Sequence, residues 1–263
     1  MSPYPNHPAK QDEPALVEPG AYISYLDEVG RGPGCRGRAA LICYEHSTIS
    51  RLRREQGLEP VAGVLGSHLF TLPAVAGGRR DDVLVAGRFG IGAPGAAAVI
   101  EELIAMGCRR IVSVGSAGAL QPGLAIGDLV VADRAIRDEG TSYHYVAAAK
   151  YAHPSAELSA RLHEEIGEAG GRATAGTAWT TDAVYRETVA EAKAYRAEGV
   201  AVVEMEAAAV FAVCAYRGVE AAAAFTVSDS LSGASWTPKF YRDEVETGIE
   251  LLVTAGLAAL AGS

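Results

Sequence analysis

The chain alternates short apolar runs with segments in which apolar residues recur every three or four positions. The runs, typical of buried strands, cover residues 39–43, 82–86, 110–114, 128–132, 173–179, 200–203 and 221–227. The periodic segments predict helices over residues 96–106, 155–169, 187–196, 206–216 and about 239–260. Such alternation predicts an α/β domain with a largely parallel or mixed central sheet that helices cover on both faces.

The chain has no break in composition after residue 38, so we expect one domain over residues 21–263. Residues 1–20 carry prolines at positions 3, 5, 8, 14 and 19 and are predicted to form a flexible arm. Hydrophobic residues make up 49% of the chain and charged residues 21%, as in ordinary globular proteins.

Charge and composition argue against several classes of binding partner and cofactor. A formal net charge of −9 argues against general binding to nucleic acid or to acidic membranes. No apolar run of about eighteen residues predicts a membrane span, and the start of the chain lacks a secretory pattern, so a cytoplasmic location is expected. The six histidines and four cysteines show no metal-ligand spacing, so neither a metal nor another cofactor is expected.

The segment V-E-M-E at 203–206 is the most informative stretch, because it combines two carboxylates with an apolar run and the start of a helical pattern. On extended backbone, Glu204 and Glu206 would project to the same side. They would then hold adjacent hydroxyls while the apolar Met205 packs on the carbon skeleton that carries them. This pattern predicts a sugar site.

Two glycine turns follow predicted strands. Residues 90–95 match G-x-G-x-x-G, a pattern that cradles dinucleotide phosphates. That interpretation requires an acid at the end of the next strand, where residues 113–116 read S-V-G-S, so a turn that approaches a different ligand is favoured. Together, the turns at 90–95 and 115–118 predict a ligand-binding crevice between adjacent strands. The alternative is that their glycines serve only to form the turns.

An aspartate ends the last apolar strand. Asp229 would either supply a proton to a ligand or cap the following turn. Arg242, thirteen residues on, would either pair with Asp229 or lie solvated at the surface.

Taken in order, these motifs resemble the nucleoside phosphorylase superfamily of the uridine phosphorylase and bacterial purine nucleoside phosphorylase type. The matching segments are G-I-G-A-P at 90–94, V-G-S-A-G-A-L-Q-P-G at 114–123, I-G-D-L-V at 126–130, T-T-D-A-V-Y at 180–185, V-E-M-E-A-A at 203–208 and T-V-S-D at 226–229. The resemblance implies a three-layer α/β/α sandwich whose twisted mixed sheet partly closes into a barrel. It also implies homodimers, often assembled into hexamers, and cleavage of the N-glycosidic bond of a nucleoside.

The resemblance also implies a role for each matching residue. The ribose-binding residues would be Glu204, Met205 and Glu206. The base pocket would comprise Val203, Val184 and Tyr185, and the phosphate or water site would comprise Gly92, Ser116 and Arg88. Asp229 would protonate the departing purine, with Arg242 as its activating partner. Relatives that cleave uridine hold the uracil with a Gln-x-Arg pair, and Thr188 and Ala190 stand there in this chain, so a purine is favoured.

Three arginines that would anchor phosphate are missing. Thr48 and Ser113 occupy two of their positions, and the third falls near residues 68–69. Because a dianion needs charge-assisted donors, other arginines must compensate or water replaces phosphate. The candidates for compensation are Arg88, Arg51, Arg53 and Arg54.

We therefore expect phosphorolysis of a purine-like nucleoside, releasing the base and a pentose 1-phosphate. In that reaction phosphate is a co-substrate. A hydrolytic nucleosidase of the same superfamily and an inactive nucleoside-binding module are the alternatives.

Overall fold

The computed structural model describes residue 7 and residues 10–61, 68–72, 82–233 and 235–261. The strands in these ranges are β1 Ala39–Cys43, β2 Glu59–Pro60, β3 Leu69–Thr71, β4 Val83–Gly87, β5 Arg110–Ala119, β6 Leu129–Asp138, β7 Tyr151–Ala152, β8 Ala173–Thr181, β9 Val202–Glu204, β10 Glu220–Ser230 and β11 Thr237–Pro238. The helices are α1 Pro19–Glu28, α2 His46–Glu55, α3 Ala93–Ala105, α4 Ala156–Glu168, α5 Val189–Ala197, α6 Ala207–Arg217 and α7 Asp243–Ala261.

The strands join in one mixed sheet that is partly a barrel. Strand β5 pairs with β10 on one edge and with β9 on the other, and the path β10–β6–β8–β9 returns to β5. On the open side, β1 pairs in parallel with both β5 and β4, and β3 and β2 extend the sheet beyond β4. The predicted mixed sheet with partial barrel closure is therefore confirmed.

Helices cover both faces, as alternate residues of β1 show. Ala40 and Ile42 belong to a core that includes buried residues of α3 and α6. Leu41 and Cys43 belong to a second core that includes residues of α4 and α7. Because successive side chains of a strand point to opposite faces, both faces of β1 must be apolar, which explains its continuous hydrophobic run. The three-layer arrangement is confirmed.

The first α-helix begins within the predicted N-terminal arm. Helix α1 begins at Pro19, a residue suited to the first helical turn. Just before it, Glu18 pairs with Arg217 at 3.6 Å, and Lys10 Nζ lies 2.8 Å from His144 Nδ1. Residues 1–6 and 8–9 lie outside the described part, and the flexibility of the arm stays a prediction.

The sequence pattern did not predict helix α2, and it predicted three strands to be shorter than they are. Helix α2 is rich in polar residues and buries only Thr48, Ile49 and Leu52, so its apolar stripe is narrow. Strands β5, β6 and β10 continue pairing beyond their apolar runs, because barrel closure supplies hydrogen-bonding partners there. None of the helices within the described ranges is long and apolar enough to cross a bilayer.

Candidate active site

Polar groups lie together near the carboxyl ends of four strands. Glu45 follows β1, Gly92 follows β4, Ser116 lies near the end of β5, and Asp229 lies near the end of β10. These strands run parallel through the pairs β4–β1, β1–β5 and β5–β10. Carboxyl ends of parallel strands are where α/β sheets bind ligands. The predicted turn at 115–118 is wrong, because these residues continue strand β5. The turn at 90–95 follows β4, and β1 lies between β4 and β5, so the two segments are not on adjacent strands.

Glu204 stabilises the site from within. One of its carboxylate oxygens accepts hydrogen bonds from the backbone N–H groups of Glu206 and Ala207, each at 2.7 Å. The other accepts from the Thr180 hydroxyl. The side chain is buried, so these three internal donors hold its carboxylate at the start of α6. Binding of a ribose hydroxyl by Glu204 stays a prediction.

Glu206 projects differently from Glu204 because β9 ends at Glu204 and Glu206 is the N-cap residue of α6, with φ −134° and ψ −33°. The prediction that both carboxylates project alike from extended backbone is wrong. A Glu206 oxygen accepts a hydrogen bond from the Gly92 N–H. Burial, and next the negative charge of Glu204, raise the pKa of the Glu206 carboxyl.

Asp229 is aimed by a β-bulge. The register between β10 and β5 shifts between Val227 and Asp229, as expected where an extra residue re-aims a side chain. The Ser228 hydroxyl and the indole N–H of Trp236 each donate to the buried Asp229 carboxylate at 2.7 Å. Two neutral donors therefore hold this carboxylate in place.

Gly118 lets Asp229 and Val203 approach each other. A Cβ atom at Gly118 would lie 2.9 Å from an Asp229 oxygen, 3.2 Å from a Val203 methyl and 2.6 Å from Leu231. Strand register places Val203 on one side of Gly118 and Asp229 on the other. The predicted base-contacting valine and the predicted acid are thus brought together.

We predict that Gly118→Ala destabilises the protein by about 1–3 kcal/mol, because the added methyl overpacks a filled position. Thermal unfolding should show a decrease in Tm of a few degrees, roughly 2–4 °C per kcal/mol for a chain of this size. Gly123→Ala is the matched control, since a Cβ atom there meets nothing within 4 Å. Equal Tm values for the two variants would show that the space at Gly118 is not needed.

Arg242 does not contact Asp229 in this structure. Its guanidinium donates to Glu244 at 3.3 and 3.4 Å, and the indole N–H of Trp236 donates to Asp229. The predicted pairing of Arg242 with Asp229 is therefore corrected. The sequence offered a weak signal for Trp236, an isolated aromatic residue in a loop after the aspartate. Its indole is 58% exposed, and its ring lies 6.1 Å from that of Phe240.

The remaining base-pocket residues lie on a short 3-10 helix after β8. Val184 is 43% exposed and Tyr185 is 96% exposed, so neither packs into the crevice of this single chain. Their contact with a base stays a prediction. Met205 is half-buried between the two glutamates, and its packing on a sugar also stays a prediction.

Glu187 is a neighbour of Asp229 that sequence reasoning missed. Burial, followed by the charges of Asp229 and Glu191, raises the pKa of its carboxyl to about 7. Glu187 and Asp229 are 42 positions apart, and no spacing or motif links them; only the fold does. The pair adds a group that titrates near neutral pH beside the candidate acid.

The acceptor side of the crevice contains protein oxygens where the resemblance predicts arginines. Ser116 donates to a Glu45 oxygen at 3.0 Å. The hydroxyls of Tyr44 and Ser113 are hydrogen-bonded to each other at 3.1 Å, and burial raises the pKa of Tyr44 well above its usual value.

The arginines proposed to compensate lie elsewhere. Arg51 pairs with Glu55, Glu246 and Glu250. The guanidinium of Arg53 lies 5.7 Å from the ring centre of Phe70. Arg54 and Arg88 are exposed, and Arg88 has a left-handed φ of 66°. Within the described ranges, none of these four pairs with Glu45 or Glu206.

Comparison with known proteins identifies the family. The model of the Phosphorylase superfamily matches residues 71–260. The chain belongs to this superfamily. A purine nucleoside phosphorylase of Toxoplasma gondii, solved with immucillin-H, has the same fold, with a TM-score of 0.76 over 88% of this chain and 92% of that one, at 21% identity.

Curated relatives of this phosphorylase superfamily member carry several names. It is 31% identical to a guanosine phosphorylase of Halorubrum lacusprofundi over 63% of this chain and 72% of that one. It is 31% identical to a DeoD-type purine nucleoside phosphorylase of Caldanaerobacter subterraneus, over 62% and 73%. A uridine phosphorylase of Thermococcus kodakarensis is 44% identical over 36% and 35%.

The superfamily member is therefore an enzyme of the nucleoside phosphorylase type, a pentosyltransferase. The family implies a nucleoside and phosphate as substrates. The names of the relatives include both purine and uridine phosphorylases, so they leave the choice of base to the site itself. Assembly into homodimers or homohexamers stays a prediction.

Proposed function

We propose that this enzyme cleaves the N-glycosidic bond of a purine-like nucleoside in the crevice between Glu206 and Asp229. One observation carries the proposal: Asp229 lies against Val203 across Gly118, and Glu206 follows Val203 by three residues. A group that supplies a proton to a base therefore lies beside a carboxylate suited to ribose hydroxyls.

This arrangement fits the charges that develop as the bond breaks. Positive charge builds on the sugar, where the Glu206 carboxylate holds and polarises the hydroxyls. Negative charge builds on the leaving base, where Asp229 supplies a proton. Oriented protein groups stabilise both charges without the reorganisation that water would need.

A purine-like base is supported by the residues in place of a uracil clamp. Thr188 is the N-cap of α5, where its hydroxyl and the Glu191 side chain form a capping box. Both side chains are thus engaged in holding the helix, and Ala190 has no polar atoms to offer. The positions that would grip uracil serve helix stability instead.

Two acceptors for the pentose are considered. Phosphate, which the family implies, yields a pentose 1-phosphate. Water is the second candidate and is favoured by the position of Glu45, whose carboxylate lies against Ser116 on the acceptor side.

A panel of purine and pyrimidine nucleosides tests the proposal. Each nucleoside is incubated with and without phosphate, and free base, free pentose and pentose 1-phosphate are measured. We expect base release from purine nucleosides. Faster cleavage of uridine would refute the preference for purines, and binding without release would identify an inactive nucleoside-binding module.

We also predict that Trp236→Phe lowers turnover about tenfold or more, because Asp229 loses a hydrogen bond to a charged group. Release of base from a purine nucleoside is measured across a pH series for wild type and Trp236→Phe. Phenylalanine keeps a ring near Phe240, so Trp236→Ala serves to measure the packing contribution separately. Wild-type turnover and pH profile in Trp236→Phe would show that the indole N–H is dispensable.

A further inference from the structure

We propose that Arg196, on α5, is a positioning residue: its guanidinium holds the start of the loop that brings Trp236 to Asp229. This rests on the proposed cleavage of a nucleoside at the same site. Arg196 Nε donates to the Leu120 carbonyl at 3.0 Å, and Nη2 donates to the Leu231 carbonyl at 2.5 Å. Leu120 follows β5 and Leu231 follows β10, so one side chain joins the ends of two paired strands.

The loop between β10 and β11 has little packing of its own. It runs from Leu231 to Trp236, and residues 232–235 read S-G-A-S. Small residues bury little apolar surface, and Trp236 is itself 58% exposed. The position of the indole therefore depends on where the two ends of the loop are held.

Strand pairing holds the end of the loop at Trp236. Strand β11 has only two residues, which pair with Asp229 and Ser230. One of the two is Pro238, which has no N–H to donate, so this short strand offers few ladder hydrogen bonds. An anchor at the start of the loop therefore adds to a weak one at its end.

Leu231, the first residue of the loop, is held through its backbone and its side chain. Its N–H donates to the Ala119 carbonyl at 2.8 Å, while its own carbonyl accepts from Arg196. The side chain packs against the buried cluster that includes Val203. Because the guanidinium is charged, its bond to the carbonyl is stronger than a bond between two neutral groups. This anchor lies two residues after Asp229.

Arg196 is in turn held by Gln121, which belongs to the V-G-S-A-G-A-L-Q-P-G segment. The Gln121 side-chain amide donates to the carbonyls of Arg196 at 3.1 Å and of Val200 at 2.7 Å, so it fixes the end of α5. The Leu120 N–H donates to the Ala201 carbonyl at 2.9 Å and joins the same two segments. Residues just after β5 thus place the guanidinium.

A loosened loop should slow bond cleavage more than it weakens nucleoside binding. Trp236 donates to Asp229, the proposed proton donor, whereas Glu206, the proposed ribose ligand, accepts from Gly92 in another part of the crevice. A small displacement of a catalytic group lowers the rate steeply, because the reacting atoms must be aligned. Loss of the Arg196 contacts should therefore lower kcat and leave KM nearly unchanged.

The test compares Arg196→Met and Arg196→Lys with wild type. Lys193→Met, which removes an exposed cation from the same helix, is the matched control. Release of base from a purine nucleoside gives kcat and KM, and thermal unfolding shows whether each variant is folded. Acrylamide quenching of fluorescence reports on Trp236, because Trp179, the other tryptophan of the chain, is buried.

We expect Arg196→Met to lower kcat about tenfold, with KM within about twofold of wild type, and to make Trp236 fluorescence more strongly quenched. Arg196→Lys keeps the charge but lacks the planar fork that reaches two carbonyls, so its kcat should lie between the two. Lys193→Met should match wild type in kcat, KM and quenching.

An unchanged kcat in folded Arg196→Met, or a change in KM alone, would overturn the positioning role, and unchanged quenching would overturn the hold on the loop. If Arg196→Met did not fold, the same measurements on Arg196→Lys would decide. If wild type released no base from any nucleoside, the proposed function would fail. Quenching would then still decide whether Arg196 holds the loop.

Discussion

Replacing Asp229 by asparagine should lower the turnover of purine nucleosides by about 100-fold or more, as loss of a general acid does. Asparagine has the shape of aspartate, but it cannot give a proton to a leaving base. The Asp229 carboxylate is buried, held by Ser228 and Trp236, and lies near Val203 at Gly118. Initial rates of base release measured across a pH series check this expectation.

The control for this variant is Asp82→Asn. Asp82 lies just before β4, at the opposite edge of the sheet, where it pairs with Arg38 at 3.4 Å. Its replacement should leave turnover unchanged. Thermal unfolding of both variants separates a lost proton donor from a lost fold. Turnover of Asp229→Asn within about twofold of wild type at every pH would leave Asp229 as a structural residue only.

Replacing Glu206 should weaken nucleoside binding by roughly 1.5–3 kcal/mol, the contribution of hydrogen bonds to a charged group. Glu206→Ala removes these bonds, whereas Glu206→Gln keeps the shape and the acceptor for the Gly92 N–H. Because burial and Glu204 raise the pKa of Glu206, wild-type affinity should increase as pH rises through that raised value. Equilibrium titration with a nucleoside at several pH values measures both effects.

The stability of the wild-type protein should decrease as pH rises, whereas its affinity for the nucleoside should increase. A carboxyl whose folded pKa is raised contributes stability that is fully present below its unfolded pKa, about 4.3, and is lost as pH rises through the folded value. Glu206→Gln cannot ionise, so its Tm relative to wild type should increase with pH. Glu168→Gln, exposed at the end of α4, is the matched control. A pH-independent Tm difference for Glu206→Gln would contradict the raised pKa.

The hydrophobic pattern predicted the bounds of strands and helices well where the buried residues are apolar. Strand β1 has the predicted bounds, because all five of its residues are buried. Helices α4 and α6 lie within about a residue of their predictions, since α4 has a regular apolar stripe and α6 is apolar over most of its length. Helix α2 was missed because its surface is mostly polar, and β10 was shortened because its polar end pairs within the barrel.

The same division applies to the site. The V-E-M-E segment and the aspartate after the last apolar run mark the crevice from sequence alone, because carboxylates at the ends of buried strands are conspicuous. The sequence does not distinguish Glu204 from Glu206. That distinction depends on where β9 ends and on the Thr180 hydroxyl, 24 positions away.

By itself, then, the sequence determined the layered α/β architecture, the position of the crevice and the family, since hydrophobic periodicity and short motifs are local properties. Only the tertiary structure decided that Trp236 rather than Arg242 holds Asp229, and that Glu45 lies against Ser116. The reason is physical: a hydrogen bond needs two atoms within about 3 Å, and strand register and bulges set that distance between residues far apart in the chain.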